Sequence, residues 1–400
     1  MTLLFAAALL LTASSAWALP VNDVFPTGVT GGARTVALGG ADITDPDDYQ
    51  SVFVNPAALG GMAGTGLDVA SDGNQLEDAV VDLDDPKSRS LNIPLKYEFM
   101  GVRFASESGW GVGIAAQTPF ETDNEFVGGK RRVRKGTGFV VVPVADSNVI
   151  HTDAKTYTLA AGKNLLGGRF AFGAGLNYHK ATESYRYTPI TANTPSFFRS
   201  ADSRAWTGTF GLLYEPRPWL RTGAVYDMGT RIKFPETLNA GVPNGVTPFR
   251  DVSTPDRVSF GLRLVPRSGL SVYLKGRCVL GRADTVITGS GIFPGSPTST
   301  VESGRGTAWD GGWGLEYILW AHDDLETRLW GGGYYEDANI QGGYTRYHRT
   351  AGFSFSPWFL NLSMAVDSAE FYDNFVVGFG VDLLKTTQAT AKSMGYRLPI

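Results

Sequence analysis

The chain has 400 residues, of which 50 are glycine, 12% are aromatic and only 18% are charged. Its net charge of −4, without a basic excess, argues against nucleic acid as a partner. Cys278 is the only cysteine, which excludes an internal disulfide bond and a cysteine-based zinc site. After the N-terminal apolar run, no stretch reaches about eighteen consecutive apolar residues, so a transmembrane helix is not expected. This composition suits a membrane β-barrel or a soluble β-sandwich.

Residues 1–18 predict a secretory signal peptide. Leu3 to Ala13 form an almost unbroken apolar run, and Ala16-Trp17-Ala18 fits the small-x-small rule for cleavage after Ala18. No Lys or Arg precedes the run, so an N-terminal membrane anchor or a displaced start of the chain is the alternative. We expect cleaved export.

Alternation of apolar with small or polar residues predicts strands from residue 64 onward. In 169–179, 270–280 and 375–383, apolar side chains share one face, which is the period of a β-strand. The opposite face is small or polar, as a barrel lumen requires. The pattern predicts about fourteen strands, at 64–71, 92–106, 109–119, 155–165, 169–185, 204–215, 219–234, 256–265, 269–284, 308–320, 325–337, 348–356, 359–368 and 374–383.

The connections between these strands alternate between short and long. Short turns on one side and long loops on the other are typical of outer-membrane barrels, whose long loops are extracellular. We therefore predict an all-β, transmembrane, antiparallel β-barrel over 64–383, in preference to a soluble sandwich. The predicted turns are 106–109, 164–168, 215–218, 266–269, 321–324 and 356–358, and the predicted loops are 72–90, 120–154, 186–203, 235–255, 285–307 and 338–347.

Residues 19–63 lack strand alternation and are rich in small residues, which suits a segment folded inside the lumen. The order Gly-Ala-Arg, Ala-Leu-Gly-Gly-Ala, Asp-Pro-Asp-Asp and Asn-Pro-Ala-Ala-Leu resembles the N-terminal hatch, or plug, of the FadL-like family. This family transports long-chain fatty acids and aromatic hydrocarbons across the bacterial outer membrane. The hatch motif matches Asn55, Pro56 and Ala57, and 210–226 and 255–263 are also similar to the family.

The resemblance covers nearly the whole chain and implies fourteen strands, a monomer without cofactor, and partners among hydrophobic small molecules, fatty acids, outer-membrane lipids and lipopolysaccharide. It also implies ligand binding in the lumen and lateral exit through the wall. A C-terminal tail at 384–400 departs from the usual terminal aromatic residue. Scaffold barrels of secretion systems share a similar Asn-Pro-Ala start, so a non-transporting scaffold is the alternative function.

Four cations lie opposite the apolar stripes of two neighbouring predicted strands: Arg257, Arg263, Lys275 and Arg277. We expect them to form an inward cluster that binds a ligand carboxylate, because a charge facing lipid at mid-depth costs about 2–4 kcal/mol. The alternative is that they form salt bridges with inward acids such as Glu326 or Asp367. The basic run 129–135 lies in the longest loop, and either binds anionic ligands and lipopolysaccharide phosphates or is solvated.

Enzymatic chemistry has little support in the sequence. His151, His322 and His348 fall in predicted loops, turns or a strand edge, and no pair of histidines has metal-ligand spacing. No serine lies in a Gly-x-Ser-x-Gly elbow. A lipid-acting barrel enzyme is the least supported function, and no catalytic or metal site is predicted.

Overall fold

The computed structural model describes residues 31–45, 50–60, 66–82, 85–127, 130–135, 138–143, 147–188, 196–241, 252–280, 285–287, 300–302, 307–322, 325–336, 345–369 and 372–383. The predicted signal peptide at 1–18 and the predicted tail at 384–400 lie outside the described residues and stay predictions. Among the described residues, no helix is long and apolar enough to cross a membrane.

Twenty strands are described, and fourteen of them form a closed antiparallel barrel, as predicted. The barrel closes where the first and last strands pair, from Asp68–Asp382 to Asp78–Tyr372. The strands of the barrel are β1 Gly66–Asp82, β2 Asp85–Ala105, β3 Trp110–Val127, β6 Ser147–Leu165, β7 Phe170–Thr188, β8 Phe197–Arg217, β9 Leu220–Asp227, β12 Asp256–Arg267, β13 Leu270–Leu280, β16 Thr307–His322, β17 Leu325–Glu336, β18 Arg346–Pro357, β19 Leu360–Ala369 and β20 Tyr372–Asp382. The remaining strands form three hairpins, β4 Lys130–Lys135 with β5 Gly138–Pro143, β10 Thr230–Ile232 with β11 Val252–Thr254, and β14 Thr285–Ile287 with β15 Thr300–Glu302.

All six predicted short turns separate consecutive barrel strands, so this part of the prediction is confirmed. Gly109 and Gly269 have φ of 76° and 80°, the left-handed region that glycine enters without steric cost. A 3-10 turn, η2 (Leu166–Gly168), forms the turn between β6 and β7, and a second one, η3 (Glu236–Asn239), follows β10.

The predicted long loops are wrong in extent. Most of 72–90 belongs to β1 and β2, and most of 186–203 belongs to β7 and β8. The basic run 129–135, predicted as loop, contains β4. The barrel strands extend beyond the alternating region because backbone pairing continues after the outward residues become polar, and the hydrophobic pattern then gives no signal.

The outer surface carries an apolar band. The outward side chains of 170–178 in β7 and of 206–214 in β8 form part of this band, and Leu176 among them is 51% exposed. Residues between them alternate inward and are buried. A band of this length on tilted strands matches the apolar core of a bilayer. The soluble sandwich is therefore excluded, and the predicted two faces of 169–179, 270–280 and 375–383 are confirmed.

Candidate functional site

The described N-terminal residues lie inside the barrel. They form α1 (Ala33–Ala37), a 3-10 turn η1 (Asp42–Thr44), α2 (Ser51–Val54) and α3 (Ala57–Gly60). The helix α1 contacts β17 to β20, η1 contacts β9, β12 and β13, and α3 contacts β2, β3 and β6 to β8. Residues 31–45 and 50–60 thus touch opposite sides of the wall, and the apolar residues Ala33, Leu38 and Leu59 among them are fully buried.

Inward-facing glycines let this segment lie directly on the wall. A Cβ added to Gly111 would lie 2.0 Å from the Leu59 carbonyl oxygen, and one added to Gly173 would lie 2.3 Å from the Pro56 carbonyl carbon. On the opposite wall, a Cβ at Gly314 would lie 2.8 Å from the Leu38 carbonyl oxygen. No side chain fits at such distances, so much of the glycine excess noted in the composition serves this contact.

The Asn-Pro-Ala motif starts α3 and joins it to the wall. The Asn55 Oδ1 accepts a hydrogen bond from the Ala57 amide at 3.1 Å, as a residue before a helix does. Pro56 lies directly before α3, where its missing N–H is not needed for a helical hydrogen bond. The Asn55 Nδ2 donates to the carbonyl oxygens of Ile43 at 2.9 Å and of Leu212 in β8 at 3.4 Å. One side chain therefore connects α3, η1 and the barrel.

A buried ionic network joins the segment to the other side of the wall. The Arg34 Nε donates to Glu316 at 2.8 Å, and its Nη2 bonds Asp45 and the Tyr273 hydroxyl. The Tyr273 hydroxyl donates to Asp45 at 2.9 Å, and the Trp330 indole donates to Glu316 at 3.0 Å. Removing one member of such a network leaves a buried charge without its partner, which is costly.

The four predicted cations all lie on the inner surface of β12 and β13, but most of them have internal partners. Arg277 forms a salt bridge of 2.6 Å with Asp310, which faces it across the β13–β16 pair. Arg257 lies directly opposite Asp227 of β9. Arg263 donates to Ser271 at 3.2 Å and lies 5.7 Å from the ring centre of Tyr273.

Lys275 differs from the other three. Its cross-strand neighbours are Gly261 and Gly312, which have no side chain. Among the described residues no side chain accepts a hydrogen bond from it, and its attractive electrostatic interactions are with Asp42 of η1, Asp227 of β9 and Asp310 of β16. Its ammonium group is therefore the cation best placed to receive an anion above the N-terminal segment.

The prediction that Glu326 or Asp367 is a partner of these four cations is wrong. Glu326 pairs with Arg328, and Asp367 accepts hydrogen bonds from Tyr334 at 2.5 Å and His348 at 2.9 Å. The actual partner Asp310 follows the inward period of β16, but only the strand register identifies it. His151, predicted in the loop 120–154, lies in β6, whereas His348, predicted at a strand edge, lies in β18 with a fully buried side chain. Among the described residues, no group of three or more His, Cys, Asp or Glu side chains is arranged to hold a metal ion.

Apolar side chains from β6, β7 and the β9–β12 connection line another part of the interior. Tyr185, Tyr187, Ile232 and Phe234 are buried together. They lie towards the long connections, whereas Asn55 and its neighbours lie towards the short turns. Between these levels, Asn177 and His179 donate or accept hydrogen bonds across β6 to β8. The interior thus offers an apolar surface next to neutral polar groups.

One seam of the wall is only partly paired. Within the described residues, β2 and β3 pair from Ala105–Gly111 to Phe99–Gln117. Beyond that point β2 pairs with β1 as far as Asp85, and β3 pairs with β6 as far as Val127. After Gln117 the register of β3 with β6 shifts by one residue, and Pro119 lies in this bulge. Pro94 lies at a similar shift in the register of β2 with β1. Prolines cannot donate to a strand ladder, so Pro94 and Pro119 disfavour continued pairing of β2 with β3.

The barrel is similar to solved outer-membrane channels at low sequence identity. The Ralstonia pickettii toluene transporter TbuX is 14% identical, with 88% of this chain and 98% of that one covered and a TM-score of 0.57. The Pseudomonas putida toluene transporter TodX is 13% identical, with 91% and 100% covered and a TM-score of 0.58. A Pseudomonas aeruginosa FadL homologue is 14% identical, with 92% and 99% covered and a TM-score of 0.55. The chain has the fold of the FadL-like channels.

No protein-family model and no curated protein matches the sequence. The similar solved structures and the fourteen-stranded barrel confirm the predicted FadL-like fold. Sequence reasoning missed the acids that neutralise Arg257 and Arg277 and the glycines that accept the N-terminal segment. Inward glycines follow the strand period, so they are visible once the inner face of each strand is known.

Proposed function

We propose that this protein is a passive transporter of hydrophobic compounds in the bacterial outer membrane, with long-chain fatty acids or aromatic hydrocarbons as substrates. A closed barrel with an apolar outer surface supports residence in a membrane. The similar structures TbuX and TodX are described as toluene transporters, and another is described as a FadL homologue. Transport rather than catalysis is the function that this fold and interior support best.

In this proposal residues 19–63 act as a hatch that blocks the straight path through the lumen. The support is the position of 31–45 and 50–60, which are largely buried and contact opposite sides of the wall. A substrate entering from the long connections meets α1, η1 and α3 before it reaches the short turns. The blocked axial path requires another exit.

The unpaired seam between β2 and β3 is the observation that carries the proposal. Its lower limit, at Phe99, is one residue from Met100, whose outward side chain is 58% exposed in the apolar band. A substrate passing through the lower end of this seam leaves the lumen at the upper edge of the apolar band, beside Met100, and enters lipid there. Each methylene kept out of water contributes about 0.8 kcal/mol, so the lateral route suits long apolar chains.

For an acidic substrate, we assign Lys275 as the main headgroup partner within the predicted cluster. Arg257 and Arg277 face Asp227 and Asp310, whereas Lys275 has glycines on both neighbouring strands. A charge-assisted hydrogen bond to a carboxylate in such a site contributes about 1.5–3 kcal/mol. A neutral hydrocarbon needs no such partner and would use only the apolar surface.

The test is a one-residue deletion that removes the bulge. Deleting Pro119 restores a regular register between β3 and β6, which allows β3 to continue along β2 and close the seam. The matched control deletes Leu319, which removes the bulge between Ile318 and Trp320 near a short turn. We expect the Pro119 deletion to abolish uptake of a long-chain fatty acid and of toluene into proteoliposomes, and the control to retain it.

Heat-modifiable migration on gels checks that both variants form barrels. Unchanged uptake after deletion of Pro119, with the barrel intact, contradicts lateral exit. Absence of uptake by the unmodified protein for both substrates contradicts transport and favours the scaffold alternative.

A further inference from the structure

The outer surface of β6, β7 and β8 carries an aromatic row where the apolar band ends. Tyr157 lies opposite Tyr178, and Tyr178 lies opposite Trp206. Their ring centroids are 6.2 Å and 4.8 Å apart, and Trp206 is 62% exposed. Amphipathic rings of this kind occupy the membrane–water interface. This row therefore marks the membrane boundary on the side of the long connections.

A row of three cations follows one step farther from the membrane. Lys155 lies opposite Lys180, and Lys180 lies opposite Arg204, each two residues from the aromatic residue of its strand. The lysine side chains are 49% and 42% exposed, on the same outward face. Like charges directly opposite each other on neighbouring strands repel. An external anion would relieve this repulsion.

Acidic residues neutralise the row only in part. Lys155 contacts Asp153 at 3.2 Å and Lys180 contacts Asp202 at 3.0 Å, and both acids lie one step farther from the membrane. Exposed ion pairs contribute little stability, and among the described side chains two carboxylates form ion pairs along a row of three cations. The membrane-facing side of the row thus keeps a positive charge.

We propose that Lys155, Lys180 and Arg204 bind the phosphate groups of the lipid A part of lipopolysaccharide. Two residues along a strand correspond to about 7 Å, so the cations lie just above the rings that contact acyl chains, at the depth of a lipid phosphate. The row is on the side of the long connections, which faces the lipopolysaccharide leaflet in an outer-membrane barrel. The inference uses the outer-membrane location proposed above and is independent of transport and of the hatch.

The test measures binding of bisphosphorylated lipid A to the purified protein in neutral detergent by native mass spectrometry. The variant carries Lys155→Gln, Lys180→Gln and Arg204→Gln. The control carries Arg169→Gln, Arg217→Gln and Arg267→Gln, which removes the same charge from the short-turn side. We expect the variant to bind lipid A at least about tenfold more weakly than the unmodified protein, and the control to change by less than about twofold.

Dephosphorylated lipid A should bind equally to all three proteins, and inorganic phosphate at millimolar concentration should not displace lipid A. Equal loss in variant and control, unchanged binding in the variant, or displacement by inorganic phosphate overturns the proposal. Lys180→Gln alone provides a milder variant whose weaker binding keeps the test valid if the triple variant does not form a barrel. Uptake is measured on the same protein preparations after reconstitution into proteoliposomes. The lipid A result can therefore be judged separately from the transport proposal.

Discussion

Two glycines on the same face of β7 provide a controlled test of the hatch. A Cβ at Gly173 would lie 2.3 Å from the Pro56 carbonyl carbon and 2.4 Å from the Ala57 amide nitrogen. A Cβ at Gly175 would lie no nearer than 3.5 Å to any atom, which is ordinary contact. Gly173→Ala therefore forces the backbone of the N-terminal segment to move by about 1 Å, whereas Gly175→Ala fits.

The expected effect follows from packing energies. Overpacking at a rigid backbone contact costs about 1–3 kcal/mol, which favours release of the segment from the wall about 5- to 150-fold. Gly175→Ala has no such cost and gains about 0.4–1 kcal/mol because alanine restricts the unfolded chain. The two substitutions thus have the same chemistry and opposite predicted signs.

The assay is single-channel conductance in planar bilayers, together with liposome swelling in small sugars. We expect Gly173→Ala to increase both conductance and swelling, and Gly175→Ala to match the unmodified barrel. Equal leakage in the two variants, with both barrels heat-modifiable, would refute the argument that Pro56 and Ala57 seal the lumen at this contact.

Three further substitutions test the site. Lys275→Gln should weaken binding of a long-chain acid about tenfold and leave binding of toluene unchanged, as measured by calorimetry in detergent; equal loss for both ligands would indicate a structural role. Arg277→Gln removes the salt bridge to Asp310, whose side chain is only 6% exposed, and should destabilise the barrel by about 3–5 kcal/mol in urea unfolding, more than Lys275→Gln does. Asn55→Ala loses three hydrogen bonds, to Ala57, to Ile43 in η1 and to Leu212 in the barrel wall, and should increase proteolysis of the N-terminal segment about five- to thirtyfold, a prediction that unchanged cleavage would contradict.

The sequence allowed a reliable prediction of the barrel where one face meets lipid. In β7, Phe172 and Leu176 alternate with Gly173 and Asn177, so the sequence alone identifies the lipid-facing and the lumen-facing side of the strand. The outer ends of the strands escaped prediction because their outward residues, such as Asp202 in β8, are as polar as those of a loop. Backbone pairing alone sustains these extensions, and pairing leaves no compositional trace.

The candidate site was predicted in part for a similar reason. The period of two places Arg277 on the inner face, but the identity of its partner depends on how β13 aligns with β16. Sequence distance is no guide, since Arg277 and Asp310 are 33 residues apart. The distinctive position of Lys275 depends on two glycines in different strands, which only the register brings together.

The contacts of the N-terminal segment also determine when this segment can reach its folded position during assembly of the barrel. The Thr350 hydroxyl donates to the Ala37 carbonyl oxygen at 2.8 Å across 313 residues, and Arg34 meets Glu316 across 282 residues. Contacts between residues so distant in sequence form late, because loop closure precedes the stabilisation that they provide. The part of the chain synthesised first therefore completes its contacts only once β16 and β18, near the end of the chain, are in place.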